Sequence, residues 1–202
     1  MQIILAITGA SGAQYGLRLC EELLAAGHSL SFLVSMAGFE VLRAEAGFDW
    51  FGAEHEVSAR LREYFQVPEN RLRYYSGDNL LASIASGSSA ADAMVVCPCS
   101  MGSLARIACG ISGNLLERSA DVMLKEKRPL VLVPRETPFS EIHLENMLKL
   151  VRMGTRIVPA MPALYHSPQT VAQMIDFVVG KVLEALAIKH CLYRPWNPLV
   201  KR

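Results

Sequence analysis

The sequence lacks any hydrophobic run long enough to cross a membrane, although 51% of its 202 residues are hydrophobic. Its apolar runs have the length of β-strands and are interrupted by glycine or proline, whereas a membrane helix needs about 20 apolar residues in succession. The amino terminus also lacks a basic region followed by a long apolar stretch, which a secretory leader requires. These absences predict a cytoplasmic protein that does not insert into a membrane.

The chain also lacks an excess of charge of either sign. Twenty Lys and Arg residues face 19 Asp and Glu residues, which leaves a formal net charge of +1. A charge so close to zero produces no overall field that would attract nucleic acid or an anionic membrane surface. We therefore expect neither as a partner, and a basic residue that binds a ligand must act locally.

Cysteines are few, and their spacing favours neither disulfides nor a metal. The five, at positions 20, 97, 99, 109 and 191, form no paired Cys-x-x-Cys set, and their odd number does not suggest a disulfide framework. Cys97 and Cys99 close an apolar strand without a matching ligand pair elsewhere in the sequence. We expect reduced, mostly buried thiols and no metal.

The pattern of apolar runs predicts a single α/β domain. Strand-sized runs lie at 3–7, 30–34, 93–97, 130–133 and 156–158, and most of them are separated by segments with helical periodicity. This alternation indicates a parallel sheet covered by helices on both faces. The clearest helices are predicted at 13–26, 37–46 and 169–186, whereas the mixed aromatic and charged segment 47–80 has no clear assignment.

A glycine-rich turn follows the first predicted strand. Residues 8–16 read TGASGAQYG. A helix that starts directly after such a turn points unpaired N–H groups at a ligand, and a phosphate is the expected one. The spacing matches neither the Gly-x-Gly-x-x-Gly dinucleotide fingerprint nor a P-loop, so a mononucleotide is at least as good a candidate as NAD.

Polar loops follow the other predicted strands as well. Ser35 ends the second strand, small polar residues at 98–103 follow the third, and Arg135 and Glu136 follow the fourth. Because the carboxyl ends of parallel strands share one edge, where ligands bind, these loops should converge. Arg135 would bind a phosphate there, and Glu136 could move a proton.

Further charged and aromatic residues lie on predicted helices and loops. Arg118 and Lys125 are two helical turns apart and could face one site, or they could form a solvated helix end. Tyr165 could offer its hydroxyl to a phosphate, with Lys181 supplying charge from the last helix. His143, at a helix start, is interpreted as a capping or packing residue.

Several long segments together resemble one family, the UbiX-type flavin prenyltransferases. They include TGASGAQYG at 8–16, SGS at 86–88, CPCSMGSLARIACG at 97–110, NLLERSADVMLKEKRPLVLVPRETPFS at 114–140 and PALYHSPQ at 162–169. The resemblance covers nearly the whole chain in order, and only 47–80 and the tail match loosely. It implies a three-layer, Rossmann-like (flavodoxin-like) domain with a central parallel sheet, assembled as a homo-dodecamer whose tail, residues 188–202, packs on a neighbouring subunit.

The family's activity is implied in the same way. Reduced FMN and dimethylallyl monophosphate would be held across subunit contacts and joined without a metal, first at flavin nitrogen 5 and then at carbon 6. The product, prenylated FMN, would serve a UbiD-type decarboxylase in ubiquinone biosynthesis or aromatic acid decarboxylation.

The resemblance also assigns residues. FMN would be bound by Gly9, Ala10, Ser11, Ser35, Ser100, Met101, Gly102, Ser103 and Arg135, and the prenyl phosphate by Tyr165, Lys181, Arg118 and Lys125. Catalytic roles would fall to Glu136, Lys125, Ser11 and Glu45, and Trp196 would cover the site from a neighbour. The family commonly has arginine where this chain has Lys181, which keeps the charge but loses the bidentate fork.

Other functions stay open at this point. A related group of FMN-dependent decarboxylases has the same fold but uses a histidine early in the chain, where this sequence offers only His28. A non-catalytic flavin carrier is a further alternative. An NAD(P) oxidoreductase is disfavoured because Ser35 stands where an acidic residue would take a ribose hydroxyl. The donor, monophosphate or diphosphate, and the division of proton transfer among Glu45, Glu136 and Ser11 are also open.

Overall fold

A computed structural model of the chain describes residues 1–196. Its strands are Gln2–Ile7 (β1), Ser29–Val34 (β2), Leu72–Tyr74 (β3), Ala93–Cys99 (β4), Leu130–Pro134 (β5) and Arg156–Ile157 (β6). Its helices are Ala13–Ala25 (α1), Met36–Ala46 (α2), Glu54–Phe65 (α3), Met101–Ala108 (α4), Leu115–Lys125 (α5), Glu141–Arg152 (α6) and Val171–Ala185 (α7). Two short 3-10 turns, Ser83–Ala85 and Gly87–Ser89, precede β4.

All six strands form one parallel sheet in the order β3-β2-β1-β4-β5-β6. The chain builds outward from β1 in one direction and then, from β4 onward, in the other. The two halves of the sheet therefore meet between β1 and β4. In such sheets the loops at the carboxyl ends of these two strands diverge and leave a crevice for a ligand.

Alternating residues of the central strands feed two separate cores. Ile3, Leu5 and Ile7 of β1 pack into a cluster with α1, α2, α3 and α7, whereas Ile4 and Ala6 pack with α4, α5 and α6. All five of these side chains are completely buried. Because successive side chains of a strand point to opposite faces, both faces of the sheet are covered. The predicted three-layer α/β fold is confirmed.

The segment 47–80, which had no clear assignment, contains α3 and β3. Helix α3 buries only Val57, Ser58 and Leu61, so its apolar stripe is too thin to produce a clear period. Strand β3 has three residues and pairs with β2 alone. Such a short edge strand gives almost no alternation to read. The helices predicted at 13–26, 37–46 and 169–186 are observed within two residues of those limits.

The described part of the tail folds back on its own α7. A Cβ at Gly180 would lie 2.5 Å from the Tyr193 ring and 2.7 Å from the His190 ring, so glycine is required for this close approach. Packing of the tail on a neighbouring subunit stays a prediction, and residues 197–202 lie outside the described residues. Within residues 1–196, no helix combines the length and apolarity needed to cross a membrane.

Candidate functional site

Thr8 ties together the loops that follow β1 and β4. It is completely buried, and its hydroxyl donates a hydrogen bond to the Pro98 carbonyl at 2.9 Å. The same oxygen accepts the N–H of Ser100 at 2.7 Å, and the Thr8 N–H also donates to Pro98. The two loops at the centre of the sheet are thus held in fixed relative positions.

Two glycines allow the turn after β1 to pack closely against its neighbours. A Cβ at Gly9 would lie 2.4 Å from the Cβ of Ala37, at the start of α2. A Cβ at Gly16 would lie 2.3 Å from the Cys97 carbonyl oxygen, so α1 rests directly on the backbone of β4. Any larger residue would force these elements apart.

Glu45, at the end of α2, occupies the amino terminus of α1. Its Oε2 accepts the N–H of Gly12 at 2.8 Å and that of Ala13 at 3.0 Å. The sequence predicted unpaired N–H groups here for a phosphate, and the structure corrects this interpretation, because the chain supplies its own anion at this helix end.

Ser11 and Arg135 complete a cluster around Glu45. Arg135 Nε donates to the Ser11 carbonyl oxygen at 3.0 Å, which links the loop after β5 to the loop after β1. Partial burial acts to raise the pKa of Glu45, but the hydrogen bonds from Ser11, Gly12 and Ala13, together with the charge of Arg135, bring it below its ordinary value. Glu45 is therefore a carboxylate at neutral pH.

A cavity of about 550 Å³ at the same edge of the sheet is lined by Gly9 and by residues of three helix starts. The three N-cap side chains each accept a backbone N–H of their own helix: Ser35 from Gly38, Ser100 from Ser103, and Asn114 from Glu117. Helices α2, α4 and α5 thus direct the positive ends of their dipoles toward one space, which favours an anion.

The same cavity has an apolar wall. Phe39 packs edge-on against Phe51, with 5.6 Å between ring centroids, and against Tyr74, with 6.0 Å. All three rings line the cavity together with Gly9. A cavity with an anion-binding end, an apolar wall and this volume suits a phosphorylated organic molecule such as a mononucleotide.

Four of the residues predicted to bind FMN, Gly9, Ser35, Ser100 and Ser103, line this cavity. Ser11 and Arg135 belong to the Glu45 cluster, Ala10 connects the two groups along the chain, and Met101 and Gly102 form the first turn of α4. The N–H of Thr137 donates to Glu136 Oε1 at 3.0 Å, directly after Arg135.

Neither of the two cations on α5, Arg118 and Lys125, lines the cavity. Arg118 donates from Nε to the Ala85 carbonyl oxygen and pairs with Asp121, both at 3.0 Å. Lys125 pairs with Glu126 at 2.6 Å. Glu117 is the last residue of α5 that lines the cavity, and Lys125 lies eight residues beyond it, roughly 12 Å further along the helix axis. The Lys125 ammonium lies beside the short turn at 87–89, where a Cβ at Gly87 would be 2.8 Å from Nζ.

Tyr165 and Lys181 meet around Phe177 of α7. The Tyr165 and Phe177 ring centroids are 5.7 Å apart, and the Lys181 ammonium lies 5.7 Å from the Phe177 ring. Lys181 pairs with Glu184 at 2.8 Å, and its pKa is raised by hydrogen bonds to Glu184 and Tyr193. Trp196 packs edge-on against Tyr165 at 5.7 Å. None of these residues lines the cavity.

The histidines considered from the sequence lie elsewhere. His28 precedes β2, at the opposite edge of the sheet from the cavity, and its Nδ1 is 3.2 Å from the amino terminus. His143 and Ser140 exchange hydrogen bonds at the start of α6, which confirms the capping interpretation of His143. The early histidine that the decarboxylase alternative requires is therefore absent from the cavity wall.

The cysteines are free thiols, and Cys20, Cys97 and Cys99 are buried. Burial raises the pKa of Cys99 to about 12 and that of Cys97 further still, so both are protonated thiols at neutral pH. Among the described residues, 1–196, there is no group of three or more His, Cys, Asp or Glu side chains that could hold a metal ion.

Sequence reasoning missed most of the cavity wall, including Arg106, Asn114 and Glu117. Asn114 and Glu117 form the pattern of an N-cap residue followed three positions later by an acid, which is typical of a helix start. That pattern could have shown that α5 begins at the ligand edge.

The chain is similar to known proteins over nearly its whole length. A family model described as Flavoprotein matches residues 1–194. A protein of Halalkalibacterium halodurans named flavin prenyltransferase UbiX is 49% identical over 191 residues, which cover 95% of this chain and 91% of the relative.

Two solved structures are also similar. AnUbiX (PadA1) in complex with FMN and dimethylallyl pyrophosphate has a TM-score of 0.86 and 35% identity over 98% of both chains. A dodecameric FMN-dependent UbiX-like decarboxylase from Escherichia coli O157:H7 has a TM-score of 0.85 and 38% identity, and the match covers 98% of this chain and 100% of the other.

Proposed function

Because the chain belongs to the Flavoprotein family and, within it, to the UbiX-type flavin prenyltransferases, we propose that it joins a dimethylallyl group to reduced FMN. The allylic carbon of dimethylallyl monophosphate bonds to flavin nitrogen 5, phosphate leaves, and ring closure on carbon 6 gives prenylated FMN. The single observation that carries this proposal is the cavity with three helix starts, whose wall residue Gly9 lies two residues before Ser11 of the Ser11, Glu45 and Arg135 cluster.

The two parts of this site suit the two ends of FMN. Ser35, Ser100 and Ser103, at the helix starts, suit the phosphate, because their surroundings favour a dianion. The flavin ring then belongs beside Ser11 and Glu45. The short stretch from Gly9 to Ser11 connects the two parts, as a ligand that spans both requires.

The residues around the flavin ring divide the proton chemistry. Glu45 is held as a carboxylate by two backbone N–H groups and by Ser11, so it can accept a proton. Arg135, fixed on the Ser11 carbonyl, brings a positive charge to the same place. Glu136 follows it in the chain and is the group we assign to protonation of the departing phosphate.

The prenyl phosphate is bound by Arg118, Lys125, Tyr165 and Lys181 in this proposal. Cations that neutralise the leaving oxygens lower the barrier to ionisation by about 3 kcal/mol for each well-placed contact, which makes a metal unnecessary. Since Lys125 lies at the far end of α5 from its own cavity, we assign it to the cavity of a neighbouring subunit.

A second feature supports assembly into an oligomer. Four apolar side chains of α6, Ile142, Leu144, Leu148 and Val151, are at least 50% exposed in the single chain. A surface of this kind is typical of subunit contacts. We propose a homo-dodecamer, the state described for the similar protein of E. coli. We further propose a cytoplasmic enzyme whose product passes to a UbiD-type decarboxylase.

Replacement of Glu136 tests the proposed mechanism. Glu136→Gln keeps the size of the side chain but cannot donate the proton, so we expect the turnover number to fall by about 100-fold. The Michaelis constant for dimethylallyl monophosphate should change little. Rates are measured anaerobically from the mass of the flavin released.

Glu141→Gln is the matched control. Glu141 lies on the exposed first turn of α6 and has no assigned role. It should retain the wild-type rate. Equal rates for wild type and Glu136→Gln would contradict the assigned role of Glu136, whereas loss of prenyl transfer in both variants would point to a general effect on the fold.

A further inference from the structure

Arg106 and Glu117 form an ion pair in the cavity wall that none of the roles above uses. Arg106 Nε lies 2.5 Å from Glu117 Oε1, and both residues line the cavity. Only 4% of the Glu117 side chain is exposed, compared with 54% for Arg106. A buried carboxylate is costly unless it is paired and hydrogen-bonded, so Glu117 depends on its partners.

Glu117 is fixed from three directions. Its Oε1 accepts from Arg106, its Oε2 accepts the N–H of Gly113 at 2.9 Å, and its own N–H donates to the Asn114 side chain at 2.9 Å. The carboxylate is therefore rigid at the start of α5. It holds the Arg106 guanidinium by a single nitrogen.

This arrangement leaves Arg106 with donors for a ligand. A guanidinium carries five N–H donors, and Nε supplies one of them to Glu117. Within residues 1–196, the Nη1 and Nη2 atoms of Arg106 make no hydrogen bond or ion pair with another side chain. Their four donors form the planar fork that matches the oxygens of a phosphate.

The surroundings of Arg106 favour an anion. Ser103 lies three residues earlier on α4, on the same helix face, and also lines the cavity. The starts of α2, α4 and α5 direct positive dipole ends into this space. Asp78 also lines the cavity and is exposed. The charge of Glu117 is balanced by Arg106, so the pair contributes directed donors more than net charge.

We infer that Arg106 binds the phosphate of FMN and that Glu117 is the positioning residue that holds Arg106 in place. This rests on the proposed function only in that FMN must bind in this cavity. A purely structural role for the pair, in which it joins α4 to the loop before α5, is the alternative that the experiment must separate.

Comparison of FMN with riboflavin, which lacks the phosphate, makes that separation. Dissociation constants for both oxidised flavins are measured by fluorescence quenching on the full-length protein. Arg106→Ala should weaken FMN binding by about tenfold, the loss expected for one hydrogen bond to a charged group. It should leave riboflavin binding unchanged. Arg62→Ala is the control, because Arg62 of α3 pairs with Glu69 after the helix and does not line the cavity.

Two conservative variants keep the test decisive if Arg106→Ala does not fold. Glu117→Gln retains an acceptor for Gly113 but loses the charged contact with Arg106, so it should weaken FMN binding less than Arg106→Ala and spare riboflavin. Arg106→Lys keeps the charge and loses the fork, and should fall between wild type and Arg106→Ala. Thermal unfolding confirms that each variant is folded.

Three outcomes would overturn the inference. Equal losses of affinity for FMN and riboflavin would mean that the Arg106–Glu117 pair supports the fold or contacts the flavin ring. Wild-type affinity for both flavins in all folded variants would mean that the pair has no role in binding. If the wild-type protein binds neither flavin, the proposed function fails as well. If the wild-type protein binds FMN but the variants lose no more affinity for FMN than for riboflavin, only this inference is refuted.

Discussion

Glu45 should contribute measurably to the stability of the fold, because its carboxylate caps the amino terminus of α1, whose own N-cap residue has no capping side chain. Gly12, the N-cap residue of α1, has a φ of 110° and no side chain, and the two N–H groups at the helix start donate to Glu45 instead. Removing an N-cap side chain costs about 1 kcal/mol. Glu45 is exposed, which limits the gain from its charge, so we expect Glu45→Ala to lower the free energy of unfolding by about 1 kcal/mol at pH 7.

Urea unfolding at one fixed protein concentration measures this change. Glu40→Ala is the control, since Glu40 is also an exposed acid on α2 but pairs only with Arg43 within the described chain. It should shift the free energy by less than about 0.5 kcal/mol. Equal losses in the two variants would refute the capping role of Glu45.

The pH dependence has a defined sign. The pKa of Glu45 is lower in the folded chain than its ordinary value of 4.5. Its charge therefore stabilises the fold above pH 4.5, and this stabilisation is lost as the pH falls through the folded pKa. The stability difference between wild type and Glu45→Gln should accordingly shrink below pH 4.5. A difference that stays constant down to pH 3 would show that the carboxylate charge contributes nothing.

Two further predictions concern the glycines and the last helix. Gly16→Ala should lower the free energy of unfolding by about 1–3 kcal/mol, because the new Cβ would lie 2.3 Å from the Cys97 carbonyl oxygen. Gly102→Ala is the control and should be tolerated, because nothing lies within 4 Å of a Cβ at that position. Urea unfolding compares the two variants, and equal stabilities would contradict the close approach at Gly16. Lys181→Ala should raise the Michaelis constant for dimethylallyl monophosphate by about tenfold, whereas Lys181→Arg should leave this constant unchanged or lower it. Both are measured by steady-state kinetics. An unchanged Michaelis constant in Lys181→Ala would show that Lys181 does not bind the phosphate.

The sequence allowed the central strands to be predicted because their residues are buried on both faces. The runs at 3–7 and 93–97 are continuous and apolar, and they became β1 and β4. Strand β3 could not be found in this way, since three residues at a sheet edge carry no period. Local pattern is strongest where burial is complete and weakest at the edge of the sheet.

The candidate site was predictable in part for a similar reason. A polar residue directly after a buried strand must lie at the carboxyl edge, which placed Ser35, Ser100 and Arg135 correctly at that edge. The contact of Glu45 with Gly12 joins residues 33 positions apart, and it depends on how α2 packs beside α1. No local pattern encodes such a contact. The position of Lys125 likewise follows from the direction of α5 and not from its spacing to Arg118.

The most direct test of prenyl transfer is the mass of the flavin recovered after anaerobic incubation of the purified wild-type protein with reduced FMN and dimethylallyl monophosphate. We expect a gain of one five-carbon prenyl unit. A gain only with the diphosphate would keep the reaction and change the donor. Unchanged FMN with both donors, from a protein that binds FMN tightly, would contradict the proposed function.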